Sequence, residues 1–168
     1  MNPSETCYHL IKDFEGLRCR AYKPVKSEKY FTIGYGHCGP DVQKNQVITM
    51  QQAESMLHED IAKVAKKVAQ FCPNLEQHQF DALVSLVYNI GWYNFKYSMT
   101  GILARNLNVT SKPIEVARRI ILWTKAGGQT LLGLQFRRVA EANVFLGENR
   151  FQVKDNQIVE VLCEEGDA

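Results

Sequence analysis

The sequence predicts an α+β protein: a small N-terminal β lobe, joined by one long helix to a mainly helical C-terminal lobe. Three observations carry this reading. Residues 17–37 concentrate β-branched and aromatic side chains punctuated by glycine. Most other apolar stretches before residue 147 repeat at helical spacing. Between the two regimes a helical pattern runs unbroken from Thr49 to about Phe71. A chain of 168 residues, 45% of them apolar, is the size of one folded domain with two lobes sharing a core.

The first element is a helix over 4–14. Pro3 and Ser4 suit its start, Cys7, Leu10, Ile11 and Phe14 form its apolar stripe, and Gly16 ends it. Residues 17–48 form the β lobe, with a turn over 23–28 and a loop over 38–48 containing Gly39-Pro40-Asp41. Thr49 and Gln52 read as a capping box opening the long helix, whose stripe is Ala53, Met56, Leu57, Ile61, Val64 and Val68. Pro73 and Asn74 interrupt it. Further helices are predicted over 75–90, 98–107, 113–125 and 133–146, with a turn at Ala126-Gly127-Gly128. The aromatic group Trp92, Tyr93, Phe95 and Tyr97 reads as packing at a helix turn. Residues 1–147 thus make the main domain, and 148–168 an extension. Within the extension, 151–161 alternates around Asp155-Asn156 as a short hairpin, and the acidic end, 164–168, reads as disordered.

Charge is unevenly placed. Residues 1–150 carry 19 Lys and Arg against 13 Asp and Glu, whereas 151–168 carry one Lys against five acids. A basic body suits an anionic polymer, and an ordinary solvated surface explains it equally. No apolar run reaches the ~18 residues of a membrane helix. The polar start, Met1 to Glu5, does not resemble a secretory signal. Five cysteines, at 7, 19, 38, 72 and 163, show no zinc-type spacing and read as reduced thiols, with a Cys19–Cys38 pair flanking the β region as the alternative. No nucleic-acid recognition motif is visible.

Two features suggest chemistry. Glu15 closes an amphipathic helix beside Phe14 and Leu17. Partial burial and the negative end of the helix dipole both disfavour its carboxylate, which predicts a raised pKa and a proton donor near neutral pH. A solvated helix-end residue is the alternative. Seventeen positions on, Thr32 stands in the strand Phe31-Thr32-Ile33-Gly34-Tyr35-Gly36-His37, either as a cleft hydroxyl or for its β propensity alone.

Phe14-Glu15-Gly16-Leu17, Ala21-Tyr22 and Thr32-Ile33-Gly34-Tyr35-Gly36-His37 together resemble the phage-type lysozymes, or endolysins, of glycoside hydrolase family twenty-four. Gln79 to Ser85 with Tyr88-Asn89-Ile90-Gly91, Trp123 to Gly128, and Gly133 to Glu141 extend the resemblance in order across residues 5–147. It implies a lysozyme-like fold and a muramidase that cuts the β-1,4 bond between N-acetylmuramic acid and N-acetylglucosamine in peptidoglycan glycan strands. It also implies a monomer without metal or organic cofactor, made in the host bacterial cytoplasm without a signal peptide and acting on the cell wall after release. Glu15 is implied as general acid and Thr32 as the residue that helps place water.

The family pattern also places an aspartate nine positions after the glutamate. Here that position is Pro24, and the loop to Thr32 is two residues longer. Glycosidase chemistry normally needs a second carboxyl group. Glu28 and Asp41 are the nearby candidates; a hairpin-tip charge and a turn hydrogen bond are their respective alternatives. The resemblance further implies an ion pair between His37 and Asp60. It implies a cleft-facing amide at Asn89, for which a local helix cap is the alternative. Tyr35, Arg137 and Arg138 are read as substrate-binding; the arginines could instead hold Glu15 or pair with Glu141. Pro24 also leaves open a second reading, a catalytically impaired wall-binding or phage structural module of the same fold.

Overall fold

The computed structural model describes residues 1–161. The acidic segment 164–168 and Cys163 lie outside the described residues. Helix α1 (Glu5–Glu15) buries Cys7 and Ile11. Its Ser4 does not cap its own helix; instead the Ser4 hydroxyl and amide donate to the buried Asp81 at 2.5 and 3.0 Å. The helix ends at Glu15 because Gly16 turns to φ 67° and returns its amide to the Lys12 carbonyl at 3.1 Å.

The β lobe is a three-stranded antiparallel sheet in the order β1 (Arg18–Tyr22), β2 (Phe31–Gly34), β3 (His37–Gly39). The predicted loop over 38–48 is partly ordered as an edge. Gln46 accepts from the Ala21 amide and Cys19 from the Ile48 amide, each at 2.9 Å, so this segment covers the free side of β1. Cys19 and Cys38 are free thiols on β1 and β3. With β2 between them their strands are about 10 Å apart, beyond the reach of a disulfide.

Helix α2 (Met50–Phe71) begins at the predicted capping box: Thr49 accepts from the Gln52 amide at 3.1 Å, and Gln52 accepts from the Thr49 amide at 2.8 Å. Helix α3 (Gln77–Ile90) is the centre of the helical lobe, buried without interruption from Gln79 to Val87. It packs against α1, α2, α4 (Trp92–Lys96) and α7 (Leu132–Leu146), while α5 (Met99–Arg105) packs on α4 and α6 (Pro113–Ile120), and α6 on α7. The sequence pattern does not separate α4 as a helix, because a five-residue helix is too short to show a period. Its Trp92 and Phe95 pack on Phe71, with ring centroids 5.5 and 6.2 Å away.

The predicted helix over 113–125 stops at Ile120. Strands β4 (Lys125–Ala126) and β5 (Gln129–Thr130) follow, joined by Gly127 and Gly128 at φ 57° and 79°, a two-residue hairpin turn that glycine adopts freely. Beyond α7, β6 (Phe151–Lys154) and β7 (Gln157–Glu160) form the expected hairpin through Asp155 and Asn156, both at positive φ. It folds back along α7. Phe151 is buried, and the Asn143 side chain bonds both the amide and the carbonyl of Phe151. At the far end Gln135 donates to the Asn156 carbonyl at 2.9 Å. Glu160 accepts from Arg118 and Arg150 at the open end. Among the described residues no helix is long and apolar enough to cross a membrane.

Candidate active site

Glu15, at the end of α1, meets α7 and the β2–β3 turn. Arg137 donates from Nη1 to Glu15 Oε1 at 2.6 Å, from Nε to Glu141 at 3.0 Å, and from Nη2 to the Ser85 carbonyl at 3.4 Å. Arg138 donates to the other oxygen of Glu141, to Asn89 Oδ1, and to the Trp123 carbonyl at 2.8 Å. The Ser85 hydroxyl completes the set on Glu141 at 2.7 Å. The side chains of Arg137, Arg138 and Glu141 are 3%, 0% and 0% exposed, whereas Glu15 is 20% exposed. Buried charges survive only when paired and hydrogen-bonded. Here two guanidiniums balance two carboxylates, and Glu15 is the member of the chain that opens to solvent.

The helix end and partial burial, on which the sequence expectation for Glu15 rested, are thus joined by a direct contact to the buried Arg137 guanidinium. Both arginines, read as substrate-binding, spend their donors within the protein. Helical spacing could not find this arrangement, because Ser85 sits in a helix whose neighbours are buried on every side.

The glycine of the β2–β3 turn has a specific reason. Gly36 has φ 88°, and a Cβ there would stand 3.1 Å from Glu15 Oε2. Tyr88 of α3 holds the turn by donating to the Tyr35 carbonyl at 2.7 Å. The Tyr35 side chain is nearly buried. Its hydroxyl lies 3.2 Å from Glu54, and the Lys12 ammonium sits over its ring at 5.7 Å.

Thr32 is buried at the centre of the sheet, paired with Tyr22 on β1 and Cys38 on β3. Glu28 is half-buried in the β1–β2 loop, where its carbonyl accepts from Lys23 Nζ at 2.6 Å. Pro24 is exposed in the same loop. The Asp41 carboxylate accepts from His37 Nε2 at 2.9 Å. That hydrogen bond holds the Asp41 carboxyl below its ordinary range.

His37 bonds Asp60 of α2 through Nδ1 at 2.5 Å, which brings together the pair expected from the resemblance. Burial opposes the imidazolium, but hydrogen bonds to Asp60 and Asp41 outweigh it and raise the His37 pKa above its ordinary 6.5. Asn89 lines a pocket of about 270 Å³ with Asn94, Lys125 and Arg138. Tyr93 and Tyr97, expected to pack, are instead exposed and stacked on each other at 6.4 Å. No group of three or more His, Cys, Asp or Glu side chains among the described residues is arranged to hold a metal ion.

A two-lobed α+β body with a carboxylate at the hinge defines a fold class, and comparison with known proteins identifies the family. A model of the phage lysozyme family matches residues 12–141, and the chain belongs to that family. It is 43% identical over 152 residues to an endolysin of Bacillus phage B103, covering 89% of this chain and 56% of that one. Its fold is similar to the solved endolysin from Escherichia coli O157:H7 phage FAHEc1, with a TM-score of 0.73, 33% identity, and coverage of 87% and 94% of the two chains. It is also similar to the muramidase domain of SpmX from Asticaccaulis excentricus, with a TM-score of 0.75, 32% identity, and coverage of 85% and 96%. The lysozyme-like fold expected from the sequence is therefore the observed one. The chain spans little more than half the length of the curated Bacillus phage endolysins it matches.

Proposed function

We propose that the chain is a muramidase hydrolysing the β-1,4 bond between N-acetylmuramic acid and N-acetylglucosamine in peptidoglycan, with Glu15 as general acid. The observation that carries this is the clamp on Glu15. Arg137 fixes Oε1, Gly36 makes room for Oε2, and the carboxyl keeps an opening to solvent. One oxygen is thereby spent on orientation and the other is left to carry the proton. A general acid is most effective when it is held within hydrogen-bond reach of the oxygen it protonates.

Glu15 gives its proton to the glycosidic oxygen as the bond to the anomeric carbon breaks. Thr32 helps place the attacking water. Glu28, on the loop that carries Pro24, receives the water's proton; Asp41, being engaged by His37, is the weaker candidate. The Asn89 amide and its pocket suit the acetamido group of the sugar. Arg137 and Arg138 serve as scaffold for Glu15 and Asn89 rather than as substrate contacts. The partner is the glycan strand of the cell wall.

Pro24 favours a second reading, a wall-binding module without turnover. Turbidity of purified cell walls separates the two. Clearing by the native chain and loss of clearing in Glu15→Gln supports the enzyme. Binding without clearing by either supports the module.

A further inference from the structure

Pro24 leaves the cleft without the carboxylate that the resemblance implies, and the sheet register supplies another polar group. Tyr22 of β1 is the direct cross-strand partner of Thr32, which in turn pairs with Cys38. Directly opposed residues in antiparallel strands share a face, with Cβ atoms about 5 Å apart. A phenol, a hydroxyl and a thiol therefore stand in one row across the sheet. The Arg18 guanidinium lies over the Tyr22 ring, 4.8 Å from its centroid, and limits its rotation. Tyr22 is half-buried and precedes Pro24 by two residues.

We propose that the Tyr22 hydroxyl is a further catalytic group, which binds the attacking water together with Thr32, opposite Glu15. This rests on the muramidase reading. The water oxygen bonds to the anomeric carbon while the glycosidic bond breaks. The leaving oxygen takes the proton of Glu15, and the proton released by the water passes to Glu28. Tyr22 accepts a hydrogen bond from the water and gives up no proton. Its electrostatics agree with that role: burial raises the phenol pKa, Arg18 opposes, and the charges of Glu15, Glu28 and Cys38 raise it further. The phenol is thus held in its neutral form, chiefly by burial.

Tyr22→Phe keeps the ring and the Arg18 stack and removes the hydroxyl alone. Assayed on peptidoglycan fragments beside Glu15→Gln, it should lose about tenfold or more in kcat, with KM within about twofold and an unchanged thermal midpoint. Azide, a nucleophile that carries no proton to be placed or removed, should restore turnover and leave a glycosyl azide. If the midpoint falls, the azide product decides, because a loosened fold is not rescued by a nucleophile. Tyr22→His, which retains a hydrogen-bonding ring, should recover part of kcat. Unchanged kcat in Tyr22→Phe, or a lost kcat that azide leaves unrestored, overturns the assignment while Glu15→Gln still reports on the muramidase reading. A native chain as inert as Glu15→Gln overturns both.

Discussion

In the proposed mechanism two requirements compete at Glu15: a proton donor must be oriented, yet a bare carboxylate at a helix C-terminus is disfavoured by the dipole. Arg137 meets the first and offsets the second, and Glu141 keeps Arg137 from standing as an uncompensated buried charge. Single-residue reasoning also yields a pH prediction at His37. Its folded pKa is raised by Asp60 and Asp41 against the opposing effect of burial. The pairing therefore contributes stability in full below 6.5, the unfolded value, and that contribution is lost as pH rises through the folded value. His37→Asn is expected to destabilise the protein most below pH 6.5, with the difference narrowing well above it. Urea titrations at about pH 5 and about pH 9 measure this; equal destabilisation at both removes the charged pair from the account.

Among the elements, the C-terminal hairpin departs most from its outline in the sequence. The alternation and the Asp-Asn turn are local signals, and they located the strands. What they could not convey is that the hairpin lies along α7, with Phe151 buried and Asn143 bonding its backbone. Phe151→Ala is expected to cost about 3–5 kcal/mol, as for a fully buried aromatic side chain in a core. Calorimetry should show the midpoint falling by about 2–4 °C per kcal/mol for a chain of this size. A variant within a degree or so of the native midpoint would mean that the hairpin is a detachable appendage. The shortened α6 carries a similar lesson. Apolar spacing continued past Ile120, but the chain there must reverse through Gly127 and Gly128 to bring α7 back across α3.

For the molecule as a whole, the question is how the β lobe is held to the helical lobe with Glu15 between them. Tyr88 reaches from α3 to the Tyr35 carbonyl, and Lys12 of α1 pairs with Glu54 of α2 at 2.5 Å beneath the Tyr35 ring. Tyr88→Phe removes one part-buried hydrogen bond, expected to cost about 1 kcal/mol. The larger effect should be local. Amide exchange in residues 34–37 should accelerate while the middle of α3 stays protected, because the turn loses its tie and the helix does not. Uniform acceleration across both lobes would show that the bond supports the global fold instead.

The sequence by itself determined most of the elements and their order, but not α4, the β4–β5 pair or the end of α6. Glycine at 16, the capping box at Thr49, the helical stripes and the Asp-Asn turn each act within a few residues of chain, where local sterics and hydrogen bonding decide. The family pattern marked Glu15, Thr32 and the His37–Asp60 pair. Only the tertiary structure decided what surrounds them. The Arg137–Glu15 contact spans 122 positions, Tyr22 meets Thr32 through strand register, and Gly36 is small because Glu15 lies against it. Such contacts leave no period in the chain. They arise where separate elements meet, and burial there makes each charge depend on partners that sequence spacing does not reveal.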